Sequence, residues 1–323
     1  MNRHRIVLVA SIALFASGMA CAQATLLVLN KEEATLSRID IASGKTVAMV
    51  YTGDGPHEIE VSKDRNLAFV SNYGTPSKPG NTLSVINIEA RRELRVDLGA
   101  LGRPHGLTFI DNHLYFTSEA SKNIGRYDPG SGRLDWQFET GQEGTHMVLA
   151  SRDGARLYTS NIGSNTVGII EHDANGNWKQ TVVKVGAGPE GLDESPDGKE
   201  LWSAHSRDGK VSVIDVAAKK VVRTLDVQTK RSNRLKFTPD GKLVLISDLE
   251  SGDLVIVDTQ THKQRTRIPL GRMPEGILVA PDGTTAFVAV AGENHIAVVD
   301  LKSLAVTKTM ATGKGPDGMA WAR

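Results

Sequence analysis

Along nearly the whole chain, apolar residues fall in short runs that alternate with polar ones, and each run ends in a polar turn, as in Val211-Ser212-Val213-Ile214-Asp215. A period of two is that of a β-strand buried on one face. The turns are explicit: Ser195-Pro196-Asp197-Gly198, Thr238-Pro239-Asp240-Gly241 and Ala280-Pro281-Asp282-Gly283 share one order of residue types. Proline presets φ, aspartate bonds the local backbone, and glycine accepts positive φ. The pattern predicts short strands joined by hairpins.

The strands recur as a unit. A glycine–proline turn, or a degraded form of it, returns at steps of 41 to 48 residues, and is followed by His57, His105, His146, Glu190, Asn233, Glu275 and Asp317. Each copy continues with an apolar stretch, then a β-rich run such as Leu157-Tyr158-Thr159-Ser160-Asn161. A third alternating run follows, and a fourth such as Val221-Val222-Arg223-Thr224-Leu225 closes the unit. Four short strands in roughly 43 residues is the arithmetic of a propeller blade. The chain stops at Arg323 after the first strand of a seventh unit, and Leu26–Asn30, Thr35–Asp40 and Thr46–Tyr51 supply the three missing strands. The expected fold is all-β: one domain over residues 23–323, a seven-bladed β-propeller with one blade shared between the two ends of the chain. Such closure leaves no open sheet edge in the ring.

The Leu157–Asn161 run and its counterparts resemble the YVTN repeat, and the likeness covers residues 25–323. The chain is similar on those residues to periplasmic YVTN-type propellers, which border the lactonase-like seven-bladed propellers. That resemblance implies an architecture and leaves activity open, since one fold hosts many functions.

Residues 1–22 read as a secretory signal. Arg3 and Arg5 precede an apolar run from Ile6 to Ala16, and Ala20-Cys21-Ala22 fits a small-x-small cleavage site. The run is shorter than the roughly 20 residues of a membrane span. A rival reading makes Cys21 a lipidated first residue. Either way the expected destination is the periplasm or beyond. Losing Arg3 and Arg5 takes the net charge from +1 to −1 and removes the single cysteine. Internal disulfides and multi-cysteine metal clusters are thereby excluded, and neither nucleic acid nor an anionic membrane is an expected partner. A small-molecule ligand and a monomer are expected.

Blade strands run antiparallel, so the start of an inner strand and the end of the second strand share one face of the disc. The two columns pair His57 with Asn72, His105 with Glu119, His146 with Asn161, Glu190 with His205, Asn233 with Asp248 and Glu275 with Val290, each fourteen or fifteen residues apart. Three histidines in consecutive blades can converge at the axis. His57, His105 and His146 are therefore candidate ligands of a divalent metal, zinc or another, with Glu119 beside them. The bland alternative is three imidazoles lining a wet channel and bonding neighbouring backbone. Asn72 and Asn161 carry the ordinary residue of their column and either tie up loop backbone or touch substrate. After Asn72 the loop lengthens to Tyr73–Gly80, which reads as a semi-rigid lid or as neutral drift. Arg231 and Arg234, with Asp248, complete the candidate substrate contacts on this face.

The function expected on these residues is metal-assisted opening of a lactone or ester, by hydrolysis or elimination. Glu119 would move the proton, with Glu190 or His205 as substitutes. The lactonase part rests on the resemblance, and the histidine-rich set departs from the carboxylate and amide ligands of those propellers. The alternatives are a non-catalytic ligand-binding or protein-interaction propeller and, third, a redox accessory. No Gly-x-Ser-x-Gly nucleophile motif and no Cys-x-x-Cys-His haem-attachment motif occurs.

Overall fold

The computed structural model describes residues 25–322. The proposed signal segment, with Cys21, lies outside the described residues. Within them the chain forms seven four-stranded antiparallel sheets. Numbering blades by their inner strands, blade 1 begins at Pro56–Val61, blade 2 at Pro104–Ile110, blade 3 at Thr145–Ala150 and blade 4 at Pro189–Glu194. Blades 5 and 6 begin at Ser232–Phe237 and Pro274–Val279. Blade 7 is the shared one: Pro316–Ala322 pairs with Thr25–Asn30, with Thr25 opposite Ala322 and Leu26 opposite Trp321. The ring is closed as the repeat count required.

Burial falls from axis to rim and follows the sequence pattern. Second strands such as Leu243–Asp248 are buried throughout because neighbouring blades cover both faces. Outer strands such as Lys45–Tyr51 stay largely exposed. Apolar side chains fill the gaps between adjacent blades; Trp202 and Val213 of blade 4, for example, join one cluster with Leu235 and Val257 of blade 5. The aspartates ending third strands shape the next turn. Asp40 Oδ1 accepts from Ser43 N at 2.7 Å, and Asp215 and Asp258 accept equivalent backbone N–H groups at the same distance.

One irregularity recurs where the inner strands begin. In blade 1 Pro56 pairs with Asn72 but the next pairing is Ile59 with Val70, so His57 and Glu58 together oppose Ser71 alone. Blades 2, 4, 5 and 6 repeat this two-against-one bulge, and blade 3 carries a register shift at His146. A bulge breaks strict alternation and re-aims side chains.

Candidate functional site

Second-strand hydroxyls hold these bulges. Ser71 Oγ accepts from Glu58 N at 3.1 Å and Thr117 Oγ1 from Gly106 N at 2.8 Å. The same hydroxyls reach into the next blade: Thr117 Oγ1 donates to the His146 carbonyl at 2.5 Å and Ser160 Oγ to that of Glu190 at 2.9 Å. The carbonyls of His146 and Glu190 are thereby tied to the preceding blade. The ring these positions form has two unlike halves.

One half is imidazole and phenol. The His57 and His105 ring centres lie 5.1 Å apart, and those of His105 and His146 lie 3.7 Å apart. Tyr73 packs on both His57 and His105, at 4.8 and 5.5 Å. Glu119 ties the group together: its Oε1 is 2.5 Å from His146 Nδ1 and its Oε2 accepts from the Tyr73 hydroxyl at 2.5 Å. Burial pushes Glu119 upward, but the bonds from His146 and Tyr73 and the nearby imidazoles leave its carboxyl below the ordinary range. It is ionised, so His146 donates to it from Nδ1, and Nε2 is the ring nitrogen left over. That Nε2 and His105 Nδ1 are enclosed with no hydrogen-bond partner among the described residues. His57 Nδ1 donates to the Gly55 carbonyl at 2.8 Å. Burial holds His57 down at about 4 and His105 well below its usual value, so both are neutral near pH 7. Burial, followed by the bond to Glu119, raises Tyr73 to about 12.

The other half is charged. Lys31 is ion-paired with Glu275 and lies 3.3 Å from Asp317. Asn233 Nδ2 donates to Glu190 Oε1 at 2.7 Å. Below the ring, Arg234 of blade 5 is paired with Glu58 of blade 1 and comes within 3.6 Å of Asp317. Four blades carry glycine at the position of Arg234, namely Gly106, Gly191, Gly276 and Gly318. There the neighbouring inner strand is too close for a side chain: a Cβ on Gly276 would sit 2.2 Å from the Asp317 carbonyl oxygen. The Arg234–Glu58 pair thus crosses a narrow channel and makes the floor of the site.

The structure regroups the residues read from sequence. His57, His105 and His146 are neighbours, and Glu119 joins them, yet Glu119 bonds His146 rather than His105. Pro104 pairs with Ser118, so Ser118 holds the column position and Glu119 lies one residue beyond the strand, level with Tyr73 and Lys31. The fourteen-residue spacing of that pair, against fifteen elsewhere, was the mark of the offset. Asn72 accepts from Gly53 N at 3.0 Å and donates to Ser84 Oγ at 2.9 Å. Asn161 donates to Thr166 Oγ1 at 3.1 Å, and Asp248 accepts from the backbone of Lys230 and Arg231, each at 2.9 Å. Asn72 and Asp248 thus tie down the connections entering their blades, and Asn161 the start of its blade's third strand. His205 fills the same column, is fully buried, and bonds Asp208 Oδ1 at 2.9 Å. Glu190 is on the ring but in the charged half. Arg234 is committed to the floor, and Arg231 lines a separate cleft of about 590 Å³ with Arg272 and Glu293.

The Tyr73–Gly80 insertion is a hairpin. Strands Leu67–Gly74 and Pro79–Asn87 extend far enough for Gly74 to pair with Pro79. Gly55 accommodates it, since a Cβ there would meet the Gly74 carbonyl oxygen at 2.2 Å. Arg103, Lys31 and Glu58 were missed from sequence. Arg103 stands over Tyr73, its guanidinium carbon 4.9 Å from the ring centre. The signals were there in part: Glu58 and Arg234 break a glycine column, and Arg103 takes the pre-proline place held by Gly55, Gly144, Gly188 and Gly315.

The three channel histidines do not converge on a common point as metal ligands must. Among the described residues, the group that brings three candidate ligand atoms within 4.8 Å of one another is His113, Asp128 and Asp135, away from the ring. It could hold a metal, although Arg126 already donates to both Asp135 oxygens, at 2.8 and 3.0 Å. No helix among the described residues is long and apolar enough to cross a membrane.

Residues 146–284 match the family model of the cytochrome D1 haem domain. Antigen Lp49 of Leptospira interrogans is 26% identical over 146 residues, 43% of this chain and 31% of that protein, so the match takes in about a third of the relative's length. Among solved structures, hydrazine synthase of Kuenenia stuttgartiensis superimposes with a TM-score of 0.75 at 20% identity, covering 85% of this chain and 92% of that one. The periplasmic gluconolactonase of Pseudomonas aeruginosa gives 0.75 at 18% identity, covering 93% and 99%. The chain is accordingly a seven-bladed β-propeller, similar over residues 146–284 to the cytochrome D1 haem domain and similar in fold to lactonase-like propellers.

Proposed function

We propose that the imidazole half of the ring opens lactones or related esters by acid–base chemistry on His146 and Glu119. The observation that carries this reading is the Glu119 carboxylate shared between His146 Nδ1 and the Tyr73 hydroxyl. A carboxylate on one ring nitrogen fixes the tautomer and makes the other the base. His146 Nε2 takes a proton from water as the water oxygen bonds the carbonyl carbon. The ring C–O bond then breaks, and the proton passes from His146 to the departing oxygen. Because Nε2 is enclosed, the reading requires the His105 ring to move off His146 as the ligand enters. The channel histidines do not fit a shared metal, and no step runs through one.

The test is proton release from a neutral sugar lactone such as D-glucono-1,4-lactone, followed by pH-stat. Wild-type turnover that falls at least about 100-fold in both Glu119→Gln and His146→Asn supports the reading. Turnover unchanged in either variant, or none in the wild type, overturns it.

A second reading is favoured by the likeness of residues 146–284 to a haem domain: the mouth carries a tetrapyrrole. His57, outside the matched residues, would hold its iron through Nε2, because Nδ1 donates to Gly55. A bound haem would supply redox chemistry there. Haem titration giving a Soret shift that His57→Ala abolishes would favour it over ring opening.

A further inference from the structure

Three cations on the face of the mouth are already committed. Lys31 is held by Glu275 and Asp317, Arg234 by Glu58, and Lys78 by Asp54 at 3.0 Å. Arg103 differs: among the described residues no carboxylate lies within ion-pair distance of its guanidinium, which instead rests over Tyr73. Its backbone is clamped, with its N donating to the Gly80 carbonyl at 2.7 Å and its carbonyl accepting from Glu119 N at 3.2 Å. It also sits at a φ of +52°, where the matching positions of four other blades are glycine. An arginine in a left-handed conformation, at a place where four of the seven blades carry glycine, opposes local backbone preference. Beside it, His105 Nδ1 and His146 Nε2 are enclosed polar atoms without partners.

We infer that Arg103 is the anion-recognising residue of the mouth, selecting ligands that carry a carboxylate or phosphate next to the group that enters the imidazole half. A guanidinium offers a planar fork of N–H donors that fits either anion. Stacking on Tyr73 holds that fork in place before the ligand arrives. Glu119, whose N bonds the Arg103 carbonyl, has both carboxylate oxygens engaged by His146 and Tyr73, which lowers its competition for Arg103. The inference rests on the mouth being the ligand site, as in the proposed function, but not on turnover there.

The test uses probes that share one ring, resist ring opening and differ at C6: D-glucose, D-glucuronate and D-glucose 6-phosphate. Binding to the whole protein is measured by calorimetry or ligand-observed NMR. The wild type should bind one or both anions more tightly than glucose, and the stronger of the two identifies the anion. Arg103→Gly installs the residue that four blades carry here and relieves the positive φ, so its melting temperature should hold or rise. Its affinity for the anion should fall about 10- to 100-fold while glucose binding is unchanged. Arg103→Lys should recover only part of the loss, since lysine lacks the fork. An unaffected anion affinity in Arg103→Gly, equal losses for anion and neutral probe, or no anion binding by the wild type at millimolar concentration would each overturn the inference. A protein that opens neutral lactones but ignores both anions keeps the hydrolytic reading and loses this one. One that binds anions through Arg103 without turnover does the reverse.

Discussion

Arg234 of blade 5 is ion-paired with Glu58 of blade 1, 176 residues earlier, across the axis of the propeller. Both side chains are largely buried, at 6% and 16% exposure. Burial pushes the Glu58 carboxyl upward, while the Arg234 guanidinium opposes that rise. Two facing exceptions to a glycine column thus close a channel that glycine alone would leave unfilled.

Breaking that pair leaves an uncompensated charge inside the ring, whereas replacing both partners does not. Arg234→Met is expected to lower unfolding free energy by about 3–5 kcal/mol. The double variant Glu58→Met/Arg234→Met should recover most of it. Urea denaturation of the two variants checks this, and equal losses in both would sink the explanation.

His57 and Glu60, both on the inner strand of blade 1, titrate with opposite effects on stability. His57 lies at about 4 against an ordinary 6.5, so between those values the unfolded chain binds the extra proton. Its contribution is complete above pH 6.5 and is lost as pH falls toward 4, by up to about 3 kcal/mol. Glu60 is raised by burial from 4.5 to about 7, so there the folded chain binds the extra proton and stability falls as pH rises through that window. His57→Asn should flatten the acid side of the stability profile, and Glu60→Gln should raise stability at pH 7. Unchanged profiles would argue that water reaches both groups.

Glu119 contributes in the ordinary carboxylate sense. Its folded value is held below 4.5, so its stabilisation is present above that pH and disappears as pH drops through the lower folded value. Glu119→Gln should be less stable than wild type at pH 7, with the gap shrinking in acid. A gap independent of pH would mean that packing, not charge, is what the substitution disturbs.

Ring closure depends on the last strand. Removing residues 316–323 takes away the inner strand of the shared blade, which pairs with Thr25–Asn30. Its loss also uncovers the cluster in which Ala320 and Ala322 meet Leu27 and Ile59. The melting temperature should drop by about 10 °C or more. A truncated chain melting like the full one would contradict the shared blade.

Most of the fold was legible because it repeats. Period-two runs and Pro-Asp-Gly turns are local signals that recur along the chain, and together with one incomplete last unit they give the blade count and the shared blade without coordinates. The site was legible only in outline. His57, His105 and His146 were placed together by their common repeat position, but the partner of Glu119 was not. One register step at Ser118 moved that carboxylate off its apparent column and against the next blade's histidine. Asn72, Asn161 and His205 show the same limit, since a column on the right face need not aim at the axis.

What the sequence determined by itself is the architecture, because strand period and turn chemistry act over a few residues and need no knowledge of neighbours. What only the tertiary structure decided is which side chains meet at the axis. Bulges turned Glu58 and Arg234 into the channel, and close inner strands required glycine in the gaps between them. Arg103, Tyr73 and Glu119 came together from two blades. Those contacts depend on distances between chain segments 16 to 176 residues apart, set by ring closure rather than by any local preference.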